Sequence, residues 1–141
     1  MSSVATYAVD TSVAVPLLIG SHPQNIPLTQ WAQDKTLHLC GHAFFETYSV
    51  LTRLPKTSRV APHDAIALME AGFAPPLMVD NDIASTLPQL FAQRGVHGGA
   101  TWDALVAMAA LRFDLTLVTR DARALATYDA LSVPTVIIKD S

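Results

Sequence analysis

The sequence predicts an α/β domain built on a mostly parallel sheet, and two observations carry that reading. The chain has 141 residues, half of them apolar and 15% charged, enough to bury one core and too apolar for disorder. Short runs rich in Leu and β-branched residues also alternate with stretches of helical spacing, the pattern of successive βα units. No repeat, low-complexity tract or linker interrupts it, so residues 1–141 read as one domain.

The elements follow in order. Residues 4–9 form a first apolar run, closed by Asp10, and residues 37–40, 77–79, 115–118 and 136–138 are similar runs, giving five buried strands. Helical spacing covers residues 26–33, 43–54, 63–71, 83–93, 102–113 and 122–131. Pro62, Asn81-Asp82 and Thr101 are suitable helix starts, and Gly72 and Gly95 suitable stops. Pro16 and Pro88 argue against regular helix around them.

Composition excludes several classes. The longest apolar stretch is eight residues, 104–111, too short to span a bilayer. The opening residues have no positive segment, Asp10 interrupts any signal-like core, and a lone Cys40 cannot build a disulfide framework; the expectation is a cytoplasmic, reduced protein. The net charge is −3, a weak overall field. If four of the twelve acids share a cation-binding cleft, the remainder of the chain carries +1, so an acidic balance does not exclude a nucleic-acid substrate.

In a parallel α/β sheet the strand C-termini and the helix N-termini share one edge, where such folds keep their ligands. Asp10 closes the first strand, Asp121 follows the fourth, and Glu46 and Asp103 lie early in the helices after strand two and before strand four. All four carboxylates therefore fall on that edge. Asp10 and Asp121 could each simply cap the following helix, and Glu46 shares the polar side of its helix with Ser49 and Arg53. Asp103 is harder to dismiss, because on a helical wheel it sits with Ala107 and Ala110, and an acid facing apolar packing needs a partner. Ser12 and Thr119, two residues from Asp10 and Asp121, either support the acids or serve as turn residues.

Val9-Asp10-Thr11-Ser12, Phe44-Phe45-Glu46-Thr47 with Leu51-Thr52-Arg53-Leu54-Pro55, Thr101-Trp102-Asp103-Ala104-Leu105-Val106-Ala107 and Leu117-Val118-Thr119-Arg120-Asp121 together resemble the PIN-domain ribonucleases, and among them the VapC-type toxins of toxin–antitoxin pairs. The resemblance spans essentially the whole chain. It implies a doubly wound five-stranded sheet of order 3-2-1-4-5 with helices on both faces. It places the catalytic acids at Asp10, Glu46, Asp103 and Asp121, with Ser12 and Thr119 in support. The chain departs from many relatives after Asp121, where Ala122-Arg123-Ala124-Leu125 replaces further acidic or aromatic residues.

Oxygen ligands without cysteines or a histidine pair at ligand spacing favour Mg²⁺ or Mn²⁺ over Zn²⁺. On that reading Asp10, Asp103 and Asp121 hold one or two ions, Glu46 binds or positions the attacking water, and RNA phosphodiesters are hydrolysed without a side-chain nucleophile. Arg53, Lys56 and Arg59, with Arg120, are the expected phosphate contacts, and single-stranded or looped RNA suits one-strand chemistry. His42, one helical turn before Glu46, reads as structural, and the other histidines are scattered. Phe44, Phe45, Tyr48, Leu51 and Leu54, with Ile66, Leu68 and Met69, read mostly as core, with some of this apolar material expected to be buried against another chain. The resemblance implies a homodimer and a cognate antitoxin that lays an amphipathic helix into a groove and could present an arginine to the acids. Two other classes compete: a PIN-like module that binds without turnover, and an aspartyl-phosphate phosphatase of the haloacid-dehalogenase type. The latter wants a second acid two residues after the first, where Ser12 stands.

Overall fold

The computed structural model describes residues 4–139. Strand β1 (Ala5–Val9) lies at the centre of a five-stranded sheet, paired in parallel with β2 (Lys35–Cys40) on one side and β4 (Leu117–Thr119) on the other. Beyond them run β3 (Ala74–Leu77) and β5 (Thr135–Ile137), also parallel, giving the order β3-β2-β1-β4-β5. The chain winds outward from β1 to β3 and then resumes on the other side at β4, so the direction of winding reverses between β1 and β4. Ligands of open α/β sheets bind outside the strand ends at such a point. Val9, Leu37, Leu39, Leu117 and Val118 are buried in the sheet, as expected of strands covered on both faces.

The helices are α1 (Thr11–Leu18), α2 (Asn25–Ala32), α3 (His42–Thr52), α4 (Pro62–Gly72), the short α5 (Asn81–Ala84), α6 (Leu87–Gln93), α7 (Ala100–Arg112) and α8 (Leu125–Ala130), the last preceded by a 3₁₀ turn at Ala122–Ala124. Helix α7 buries a small-residue face, Ala104, Ala107 and Ala110, which lets neighbouring backbones approach closely. Among the described residues no helix is long and apolar enough to cross a membrane.

Four features differ from the sequence expectation. Helix α1 was not anticipated, because Pro16 lies inside it and removes one backbone donor. The carbonyl that this donor would have met, that of Ser12, instead accepts from Arg120 Nη1 at 3.2 Å. The third strand lies at 74–77 rather than 77–79 and contains the exposed Pro75 and Pro76; prolines are tolerated because β3 is an edge strand. The expected helix 83–93 is broken at Ser85 and Thr86, whose hydroxyls donate back to the carbonyls of Asp82 and Ile83. The expected helix 122–131 begins as a 3₁₀ turn, with Asp121 accepting from Arg123 N at 3.0 Å.

Gly41 links β2 to α3 at φ +55°, and a Cβ there would stand 2.6 Å from the Leu105 carbonyl oxygen on α7. Backbone strain and a clash with another backbone both oppose any side chain. Gly41→Ala is therefore expected to destabilise the protein by about 1–3 kcal/mol, read as a lower midpoint in urea denaturation; an unchanged midpoint would show that α7 yields at this crossing.

Candidate active site

Asp10 follows β1 and is buried, one of three buried polar or charged residues among those described. Its Oδ1 accepts from the backbone N–H of Ser12 at 3.1 Å and from the Ser12 hydroxyl, and its Oδ2 accepts from the Tyr128 hydroxyl at 2.7 Å. Burial pushes the Asp10 carboxyl above the ordinary aspartate value, and hydrogen bonds from Ser12, Thr119 and Tyr128 oppose the shift. The Asp10 side chain also caps α1, so the structural reading of that residue and the functional one coexist.

Ser12 connects both sides of the winding reversal. Its hydroxyl lies 3.2 Å from the Thr119 hydroxyl and accepts from the backbone N–H of Arg120 at 2.8 Å. Thr119 in turn accepts from Asp121 N at 3.0 Å. The two hydroxyls thus fix the loop after β4 against the start of α1.

Asp10, Glu46, Asp103 and Asp121 line one cleft of about 370 Å³, with Ser12, His22 and Arg120 also in its wall. Burial holds the half-buried Asp103 carboxyl above its ordinary value, followed by the charges of Asp10, Asp121 and Glu46, while His42 opposes them. Charge interaction with three other acids is what convergence on one site produces. Glu46 Oε2 lies 3.3 Å from His42 Nε2, and the His42 ring stacks on Trp102, with centroids 5.1 Å apart. Arg120 reaches the cleft wall through its bond to the Ser12 carbonyl. Arg53, Lys56 and Arg59 lie beyond the C-terminal end of α3 and do not line the cleft; Arg59 Nε donates to the Leu54 carbonyl at 3.0 Å.

Three residues of this site had no claim from sequence. Tyr128 sits on the last helix, 118 positions from the acid it holds, and no local pattern marks it. His22 lies between α1 and α2, and the sequence reading showed only the second of these helices. His42 had a signal, its i,i+4 spacing to Glu46, but that spacing serves surface pairs equally well.

The donor set is hard oxygen, suited to Mg²⁺ or Mn²⁺. Among the described residues no three His, Cys, Asp or Glu side chains are already gathered closely enough to enclose one ion. Such a cleft fits a partly hydrated cation, since Mg²⁺ usually keeps several waters and takes only one or two carboxylates directly.

The PIN domain family matches residues 7–131. The chain belongs to that family. It is 48% identical over 130 residues to Ribonuclease VapC27 of Mycobacterium tuberculosis, covering 92% of this chain and 95% of the relative. It is 39% identical over 132 residues to Ribonuclease VapC40 of the same species, covering 93% and 98%. Among solved structures, VapBC2 of Rickettsia felis bound to a promoter DNA fragment superposes with a TM-score of 0.65 at 16% identity, covering 96% of this chain and 99% of that one. FitAcB of Neisseria gonorrhoeae gives 0.62 at 20%, covering 92% and 95%. At these identities the likeness bears on the fold, and it agrees with the PIN architecture described above.

A carboxyl whose folded-state pKa is raised binds its proton more tightly folded than unfolded, so stability falls as pH rises from the unfolded value through the folded one. For Asp103 that fall begins near 3.8. Asp103→Asn is expected to raise the melting temperature near pH 7 in chelator, by an amount worth at most about 1 kcal/mol because solvent screens a half-buried group. The gain should shrink as the pH is lowered toward 3.8 and the native aspartate takes up its proton. A variant that melts lower than the parent at pH 7 would show that the acids do not strain the fold.

Proposed function

We propose that this PIN domain is a metal-dependent endoribonuclease that acts as the toxin of a toxin–antitoxin pair. The observation that carries the reading is the convergence of Asp10, Glu46, Asp103 and Asp121 on a single cleft where the winding reverses. Relatives named ribonucleases at 48% and 39% identity support it. Asp10, Asp103 and Asp121 would hold Mg²⁺ or Mn²⁺. When bound, the ion supplies an acidified water and offsets charge on the scissile phosphate.

The chain's own residues do the rest. Ser12 and Tyr128 fix the direction of the Asp10 carboxylate, and Thr119 sets the loop that carries Asp121. Glu46, steadied by His42, either completes the ligand set or aligns the attacking water. Arg120 offers a cation to the substrate phosphate from the cleft wall. Arg53, Lys56 and Arg59 would guide flanking RNA toward the cleft electrostatically. The phosphatase alternative loses ground because the position of its second acid holds Ser12, whose hydroxyl donates to Asp10.

Purified protein is expected to cut single-stranded RNA with Mg²⁺ or Mn²⁺ and to stop in chelator. Asp10→Asn and Asp103→Asn should each lower cleavage by about 100-fold or more while leaving a cooperative thermal transition. Full cleavage by both variants would refute the assignment, and binding without cleavage by the parent would favour the non-catalytic module.

A second surface supports the partner half of the proposal. Phe44, Phe45, Tyr48, Ile66, Met69 and Phe73 line an apolar groove of about 550 Å³ beside β3, with Phe45 61% and Ile66 44% exposed. We assign it to an amphipathic helix of the antitoxin, in keeping with the toxin–antitoxin complexes among the structural relatives. Trp102 and Phe113, exposed at the start and just after the end of α7, offer separate apolar surface for a homodimer, and a cytoplasmic setting is in keeping with an RNA substrate. Ile66→Asp should abolish co-purification with the co-expressed antitoxin yet keep metal-dependent cleavage within about two-fold, because an exposed position away from the acids tolerates a charge. Undiminished co-purification would place the antitoxin elsewhere.

A further inference from the structure

We propose that His22 is a substrate-positioning residue of the acidic cleft, presenting its Nε2–H to a non-bridging oxygen of the bound phosphodiester. The proposal rests on the ribonuclease reading and adds to it a neutral donor on the wall opposite in chemistry to the carboxylates.

His22 lines the same cleft as the four acids. The backbone N–H of Gln24 donates to its Nδ1 at 3.0 Å, so Nδ1 acts as an acceptor. A neutral imidazole has one acceptor and one donor nitrogen, and the main chain has thereby placed the proton on Nε2. That N–H has no protein partner among the described residues. The turn that carries the ring is also fixed: His22 N donates to the Ile19 carbonyl, Asn25 N donates to the His22 carbonyl, both at 3.0 Å, and Asn25 Nδ2 caps the carbonyls of Pro16 and Leu17. A donor of defined tautomer on a residue that lines the cleft, with no protein partner among the described residues, is the form a substrate contact takes.

The charge of the site explains why a histidine fits there. Four carboxylates repel a phosphodiester, and a lysine in the same place would pair with one of them and compete with a metal ion. A neutral N–H binds a phosphate oxygen without neutralising the acids that the chemistry needs.

The bland alternative is that His22 only closes its own turn through Nδ1. Two substitutions separate these roles, because an asparagine amide reaches the position of Nδ1 and a glutamine amide reaches that of Nε2. On a labelled single-stranded RNA that the parent cleaves with Mg²⁺, H22N is expected to lower kcat/KM by about 10-fold, mainly by raising KM. H22Q should recover most of that loss, with both variants melting within a few degrees of the parent. Full activity in H22N with loss in H22Q, or full activity in both, overturns the proposal. If the parent cuts no RNA, the ribonuclease reading fails separately. Anisotropy binding of the same RNA then decides: weaker binding by H22N than by H22Q supports the contact, and equal binding overturns it.

Discussion

A carboxylate buried at the end of the central strand sets the terms for everything around it. Asp10 sits in the core, where an ionised group without donors would be prohibitively costly. The fold answers with one neighbour and two distant pieces of chain: Ser12, two residues on at the start of α1, Thr119 at the end of β4, and Tyr128 from α8. These contacts close the sheet's two halves onto each other at the point where winding reverses. Tyr128 is itself fully buried, and burial pushes its phenol up, followed by the Asp10 charge and the bond to Asp10. It therefore stays a neutral donor, the one form in which it can serve a carboxylate.

The hydrogen bonds do not complete the compensation, because Asp103, Glu46 and Asp121 add like charges to the same cleft. Only a proton or a cation relieves that arrangement. At neutral pH the fold thus holds unfavourable electrostatic energy, which a divalent ion of the kind proposed above would release on binding. The same logic explains Pro16. By leaving the Ser12 carbonyl without a helical donor, it gives the Arg120 guanidinium an anchor beside the acids, and a position that weakens α1 as a helix fixes a cation at the cleft wall.

Much of this was legible in the sequence, and the reasons for the gaps are physical. The five apolar runs and the four acids on one edge could be read because burial on both faces and helix-start chemistry leave local patterns. The third strand was misplaced since Pro75-Pro76 reads as a break, and only its edge position in the sheet makes those prolines acceptable. Helix α1 was hidden by Pro16 for the same reason, a local penalty overridden by tertiary context. Asp103 announced itself by facing Ala107 and Ala110, whereas Glu46, on the polar side of α3, shared the edge with the other acids but was told from a surface glutamate only by its family motif. Tyr128 left no trace, because the hydrogen bond that matters spans nearly the whole chain.

Helix α3 joins the two proposed surfaces through its own periodicity. His42 and Glu46, four residues apart, turn toward the acids, while Phe44, Phe45 and Tyr48 turn toward the apolar groove. A helix is only about 10–12 Å across with its side chains, so a partner seated in that groove lies one helix width from the cleft. A polypeptide that continues a few residues past the groove can reach Asp103 and Asp121, and an arginine carried on it would meet the charge deficit that otherwise calls for a metal ion. Inhibition by such a partner then needs no distortion of the domain. It needs only that the groove and the acids share one rigid helix, which the burial of Ala43, Thr47 and Leu51 on the third side of α3 provides.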